Sequence, residues 1–214
     1  MTSKERVRHM LACQVPDRVP INYSANPGID ARLKAHFGLK PQDDEGLRQA
    51  LGVDFRGVHA RYTGPRLHPD IPERGIKVDD WGMHRRWIEH ENGGYWDYCD
   101  FPLQQATVDE VARWPLPSPD DFDVSRVRDA CRRFADYGVY AGSPGVGDVI
   151  NSTGMLRGME QTLVDLATDD PAGLLLIRRR ADIWLAILRR LLEAADGGVD
   201  FLWMGEDLGT QHAP

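Results

Sequence analysis

The stretch that decides the fold is DDPAGLLLIRRRADIWLAILRRLLEAADGGVDFLWMG, Asp169 to Gly205. Asp170 followed by Pro171 is a helix start: the carboxylate caps free N–H groups, and proline suits the first helical position. Leu174, Ile177, Ala181, Trp184, Leu188 and Leu191 recur at three and four residues, which predicts one long helix with a buried face, to about Asp196. Gly197-Gly198 stops it. The run VDFLWMG (Val199–Gly205) then reads as a short strand, apolar on both faces as a parallel sheet demands.

The same alternation extends back along the chain. GVYAGSP (Gly138–Pro144) and VDFRGVHA (Val53–Ala60) read as earlier strands, and RVPINYS (Arg18–Ser24) as the first of four. Between them lie helical patterns. Thr2 or Ser3 caps a helix carrying Val7, Met10 and Leu11; NPGIDARLKAHFG and PQDDEGLRQALG follow. SRVRDACRRFADYG aligns Val127, Ala130, Cys131 and Phe134, and GMLRGMEQTLVDLATD reads as one more helix. Strand alternating with helix implies a parallel sheet with crossover helices. The middle differs. DDWGMHRRWIEHENGGYWDYCDFPLQ alternates polar and apolar residues about Asn92-Gly93-Gly94, a tight-turn signal, so Trp81–Glu89 is expected to pair with Tyr95–Pro102 as an inserted antiparallel hairpin spanning 80–102. No GxGxxG follows a strand; the G-x-G of SPGVGDVI lacks its third glycine, which argues against a dinucleotide fold.

The bulk properties exclude several classes. The 214 residues carry a formal net charge of -7 with 42% hydrophobic residues. That suits a packed soluble core and offers no basic footprint for nucleic acid or an anionic membrane. No apolar stretch is long enough to span a bilayer, and the charged N-terminus lacks a signal peptide's apolar core. Cys13, Cys99 and Cys131 are dispersed, without metal-ligand spacing, which fits a reducing cytoplasm.

Several pieces of the chain resemble the uroporphyrinogen decarboxylase superfamily, which includes zinc-dependent methyltransferases that move methyl groups between corrinoid proteins and thiols. They are KERV, PDRVP, VDDWG, LRGMEQTLVDLATDDP and GEDLGTQ, in that order along the chain. The resemblance implies an α/β fold of the (β/α)8 TIM-barrel type. At roughly 250 residues for such a barrel, residues 1–214 are expected to be its N-terminal portion, an incomplete barrel of about four β/α units. Exposed barrel edges would then favour self-association. The family's decarboxylases place an arginine-bearing segment after strand one, an aspartate after strand two and a tyrosine after strand three. This chain has no arginine between Arg18 and Arg32, has Arg61 near the second position, and has Ile150 or Asn151 at the third.

Methyltransferase-like chemistry is therefore expected over true decarboxylation, with decarboxylase, or a non-catalytic or partner-binding fragment, as the alternatives. The implied zinc would be held by a His and two Cys beyond Pro214, so no cofactor or metal is expected within this chain, and the chain alone is expected to be inactive although its parent is an enzyme. The implied partners are a small-molecule substrate and a corrinoid protein.

Barrel sites gather where strands end at their C-termini. That rule selects Asn22, Tyr23 and Ser24, then His59 and Arg61, then Ser143 and Asp148, then Glu206, Asp207, Gln211 and His212. Two adjacent acids after a buried strand must be solvated, paired or used, so Glu206 and Asp207 are the catalytic candidates. Tyr23, His59, Arg61, Gln211 and His212 are the substrate-binding candidates. Asn22, Ser143 and Asp148 read as loop hydrogen bonds or helix caps. His84 and His90 read as solvated hairpin residues. Trp81 and Trp96 read as hairpin core before pocket wall.

Overall fold

The computed structural model describes residues 1–91, 93–143 and 148–206. It is a mixed α/β fold. Its helices are α1 (Ser3–Leu11), α2 (Pro27–His36), α3 (Asp44–Ala50), α4 (Val108–Arg113), α5 (Val127–Arg133), α6 (Ile150–Arg157), α7 (Met159–Thr168) and α8 (Pro171–Ala195). Its strands are β1 (Phe55–Val58), β2 (Arg61–Tyr62), β3 (Ile76–Val78), β4 (His84–His90), β5 (Gly93–Tyr98), β6 (Phe122–Asp123), β7 (Gly138–Ser143) and β8 (Phe201–Met204). β1, β7 and β8 form a parallel sheet in that order, with Gly57 opposite Tyr140 and Tyr140 opposite Phe201. The described strands close no barrel.

Period-two alternation gives this sheet two unlike faces. Val58, Val139 and Ala141 point to one side, where Val127, Cys131 and Phe134 from α5 and its C-cap, and Leu191 and Ala195 of α8, bury them. Phe55, Tyr140, Phe201 and Trp203 point to the other, where Tyr140 stacks on Phe201 at 5.7 Å and meets Trp203 edge-on at 5.4 Å. Gly142 is fixed by this register. Its φ is +99°, and a Cβ there would collide with the Trp203 carbonyl oxygen.

α8 is as long as its sequence predicts, capped by Asp170 through the Ala172 and Gly173 N–H groups. Its buried face is rotated from the expected stripe in the first half. Leu176, Arg180, Ile187, Leu188 and Leu191 are buried, while Ile177 and Ala181 are only partly covered. Leu176 and Ala172 complete a second core with Met83, Leu103, Val111 and Leu156, which joins the base of the hairpin to α4 and α6.

Three expected elements differ. Arg18–Ser24 is not a strand. Pro20 brings no donor, and the segment is held by Asp54: the Asp54 N–H donates to the Ile21 carbonyl while the Asp54 carboxylate accepts the Ile21 N–H. The hairpin exists, as β4 with β5, and β3 adds a third strand. It begins at His84, not Trp81, because the Asp79 carboxylate accepts the N–H groups of Trp81 and Met83 and folds that piece into a turn. The single helix expected across GMLRGMEQTLVDLATD is two, α6 and α7, broken at Gly158 with φ +85°.

The motifs that carry the family resemblance are largely structural clamps here. The exposed Asp17-Arg18 pair of PDRVP joins an ion network centred on buried Arg6 and Asp54. Arg6 donates to Asp17 at 2.6 Å and to Asp54 at 2.6 Å, and Arg18 donates to Asp54 at 2.6 Å. In LRGMEQTLVDLATDDP, buried Arg157 pairs with fully buried Asp165 and donates to the Leu103 and Ala106 carbonyls. That staples the α6–α7 junction to the loop after β5. At the site end, Asp148 and Arg180 are the buried polar groups left to explain.

Candidate functional site

The C-terminal ends of β1, β7 and β8 open onto one region, and the structure brings several ionisable groups there. Glu206 follows β8 through Gly205. Its carboxylate reaches the start of α6 and accepts three backbone N–H groups: Val149 at 2.7 Å, Ile150 at 3.0 Å and Asn151 at 3.2 Å. α6 has no side-chain cap of its own. Glu206 therefore supplies both the missing acceptors and a negative charge at the positive end of the helix.

Asp148 lies close to Glu206 and accepts the Ser152 N–H and the Asn151 side-chain amide. Two carboxylates this close cannot both ionise cheaply, so their environments divide the roles. Burial, then neighbouring Glu206, pushes the Asp148 pKa up. Burial opposes the Glu206 charge as well, but the backbone N–H donors and Asp148 outweigh it and hold the Glu206 pKa below its usual value. The environment thus favours the protonated form on Asp148 and the ionised form on Glu206. The two carboxylates titrate as a unit.

Beneath Asp148 lies Arg180, 2% exposed. Its Nη1 donates to the Ser152 carbonyl at 3.1 Å and its Nη2 to Ser152 Oγ at 2.6 Å. Its guanidinium sits 5.1 Å from the Trp81 ring centroid, and Trp81 in turn stacks on Trp184 at 5.1 Å. Desolvation lowers the Arg180 pKa to about 10, against opposing fields from Asp79 and Asp148. Asp79, Trp81, Met83, Arg85, Asp148 and Arg180 line a cavity of about 170 Å³, walled further by Met155 and Trp184. Trp184 also borders a second, mainly apolar cavity of about 210 Å³ with His59, Phe122, Gly142 and Leu188.

On the aromatic face of the sheet, Tyr140 is the central group. Burial raises its pKa, with Arg48 and a hydrogen bond to Asn22 acting the other way. His59 meets Tyr140 edge-on at 6.4 Å. His59 is exposed, yet the surrounding protein, and to a lesser degree Arg48, lowers its pKa and favours its neutral form.

The candidates named from sequence separate accordingly. Glu206 and His59 stand at this end of the sheet. Tyr23 lies off it, donating to Asp30 of α2 at 3.1 Å. Arg61 is exposed, in β2 opposite Asp123. Asp207, Gln211 and His212 lie outside the described residues. Asp148 is no ordinary loop residue: it is half of the carboxylate pair. Trp81 walls the cavity, whereas Trp96 is 37% exposed and packs on Trp87 with Lys77 over its ring. His84 Nδ1 donates to the Asp100 carboxylate at 3.2 Å and is not simply solvated. Arg180, Trp184 and Tyr140 were missed by sequence reasoning. Arg180 carried a signal: it lies four residues after Leu176 and seven before Ile187, on the buried stripe.

No group of three or more His, Cys, Asp or Glu among the described residues is placed to hold a metal.

Fold and site together define a mixed α/β protein with a parallel sheet and a polar, partly enclosed region at the C-terminal ends of its strands. Comparison with protein-family models, with curated proteins and with solved structures finds no match to this chain.

Proposed function

We propose that this chain is part of a (β/α)8 barrel of the uroporphyrinogen decarboxylase superfamily, on its methyltransferase-like side, and that a small-molecule substrate binds at the C-terminal ends of β1, β7 and β8. The order of the parallel strands and the helices between them support the barrel reading, since such crossovers build that fold. The substrate end follows from the general placement of barrel sites.

One observation carries the choice of chemistry. The sheet face that would look into the barrel presents aromatic rings: Phe55, Tyr140, Phe201 and Trp203, with His59 neutral beside them. A tetrapyrrole covered in carboxylates needs guanidinium groups aimed at it. Arg48 is the cation whose field reaches Tyr140 and His59. Arg18 is spent on Asp54 and Arg61 faces solvent. An aromatic wall suits a large, mostly apolar face such as a corrinoid ring better than a polyanion. In this reading the Asp148–Glu206 pair is the proton-holding group beside the substrate.

Parallel titrations with oxidised uroporphyrin and methylcob(III)alamin, each followed by its own visible band, test the proposal. Saturation is expected for the corrinoid and not for the porphyrin. Saturable micromolar porphyrin binding, displaced by uroporphyrinogen, would overturn it in favour of a decarboxylase.

A further inference from the structure

The cavity of about 210 Å³ beside the ends of β1 and β7 differs in kind from the one around Arg180. Ile187, Leu188 and Leu191 of α8 line one part of it. Ala60, just after β1, and Gly142, near the end of β7, line another with little or no side chain. Phe122 and Trp184 add two rings. Phe122 and the three aliphatic residues of α8 are buried, so the hollow is set into the packed layer between helix and sheet. No lining side chain carries a formal charge. His59 is polar, and its surroundings favour the neutral form. Trp184 Nε1 is sealed from solvent, so the indole meets the cavity as apolar surface. Trp81 stacks on that indole at 5.1 Å and 20° and holds it in place.

Protein interiors leave few voids larger than a water molecule, because the atoms around a void forfeit their dispersion contacts. Water fills such a space well only where several polar partners await it. Here the side chains offer His59 alone. A charged ligand would give up its hydration and meet no opposite charge. The occupant that restores the lost contacts is therefore apolar and uncharged. Size narrows the choice. An apolar cavity of roughly 150 Å³ takes up benzene. This one is larger, with room for a benzene ring and one small substituent. Shape narrows it again, since rings such as Phe122 and Trp184 gain from stacked or edge-on contact with another ring beyond the area they bury.

We propose that this cavity is a binding site for a small, uncharged, single-ring aromatic molecule, its ring lying among Phe122, Trp184, Ile187 and Leu188. The inference goes beyond the corrinoid reading and does not rest on it, because Phe55, Tyr140, Phe201 and Trp203, the rings assigned to the corrinoid, do not line this cavity.

Fluorobenzene is the probe, followed by its fluorine resonance. Titrated with the whole chain, that resonance is expected to shift saturably at millimolar concentrations or below, and toluene should displace the probe. Para-fluorobenzoate and para-fluorobenzylamine, the same ring with a charge of either sign, should each bind at least tenfold more weakly. Fluorocyclohexane, of similar size without the flat ring, should bind several-fold more weakly. Ala60→Leu and Leu188→Phe each add carbon to the cavity and should weaken fluorobenzene at least tenfold; if either variant fails to fold, the other and the analogue series still decide. No saturable shift up to the solubility limit of fluorobenzene would overturn the assignment. So would equal affinity for a charged analogue or for fluorocyclohexane, or unchanged affinity in a folded filling variant. None of these outcomes depends on the corrinoid and porphyrin titrations.

Discussion

Asp54→Ala is expected to destabilise the protein by about 3 kcal/mol, a figure that follows from the groups around it. The Asp54 side chain is fully buried just before β1. It accepts from Arg6 Nη1 at 2.6 Å, from Arg18 Nη1 at 2.6 Å and Nη2 at 3.0 Å, from Ser3 Oγ at 2.8 Å and from the Ile21 N–H at 2.8 Å. Removing one partner of a buried ion pair costs about 3–5 kcal/mol, because the remaining charge is stranded. Arg6 keeps Asp17, and the Arg18 side chain is 39% exposed and can turn to water, which sets the lower end of that range. Against a typical total of about 5–15 kcal/mol the loss is large. Urea unfolding followed by tryptophan fluorescence is the assay. With a slope of about 2–3 kcal/mol per molar, the midpoint should fall by about 1–1.5 M. The pH response supplies a second check. The donors depress the Asp54 pKa below 3.8 despite burial, so its contribution is present above that value and is lost as pH falls through the folded pKa. Asp54→Ala should lack this part of the acid limb. A midpoint shift below about 0.3 M would refute the reasoning, since the network would then be worth no more than a surface contact.

Asp148→Asn should be neutral or stabilising at pH 7. The folded pKa of Asp148 is raised, so its contribution is full below the unfolded value of 3.8 and is lost as pH rises through the folded one; asparagine mimics the protonated acid without titrating. Melting temperatures across pH 4–8 should be flatter for the variant, and a loss beyond about 1 kcal/mol at pH 7 would count against a protonated Asp148. Gly142→Ala should cost about 1–3 kcal/mol in the same urea assay, through positive φ and the clash with Trp203; an unchanged midpoint would mean the register of β7 on β8 is wrong. β8 pairs with β7 alone among the described strands and exposes Leu202 and Met204, so concentration-dependent self-association is expected by light scattering. Leu202→Lys should reduce it, and a monomer at all concentrations would remove the edge as its cause.

The parallel strands and long helix were legible because periodicity records which side of an element is buried. Val58, Val139 and Ala141 alternate with residues of the other face just as a two-sided sheet requires. Arg18–Ser24 has strand-like composition, but composition does not show that Pro20 and a carboxylate partner would replace a ladder. Arg180 was illegible for the opposite reason. Within Arg178-Arg179-Arg180 it looks like solvated charge, and only the register of the apolar residues around it says that it points inward. Asp148 looked like a loop acid because its partner, Glu206, is distant in sequence and only the fold joins them.

The anchoring of α1 sets an order of events during synthesis. Arg6 and Ser3 bind Asp54, so the helix can dock once β1 has left the ribosome. Its other ties come late: Lys4 and Arg8 reach Asp200, at 3.0 Å and 3.3 Å, and the Lys4 N–H donates to the Asp136 carbonyl. At about 5–20 residues per second, the stretch of about 150 residues between Asp54 and Asp200 takes roughly 7–30 s to translate. Through that interval Lys4 and Arg8 face water, waiting for one acid. When Asp200 arrives, its carboxylate also accepts the Val139 N–H at 2.9 Å. The same residue thus latches the newest strand to the oldest helix.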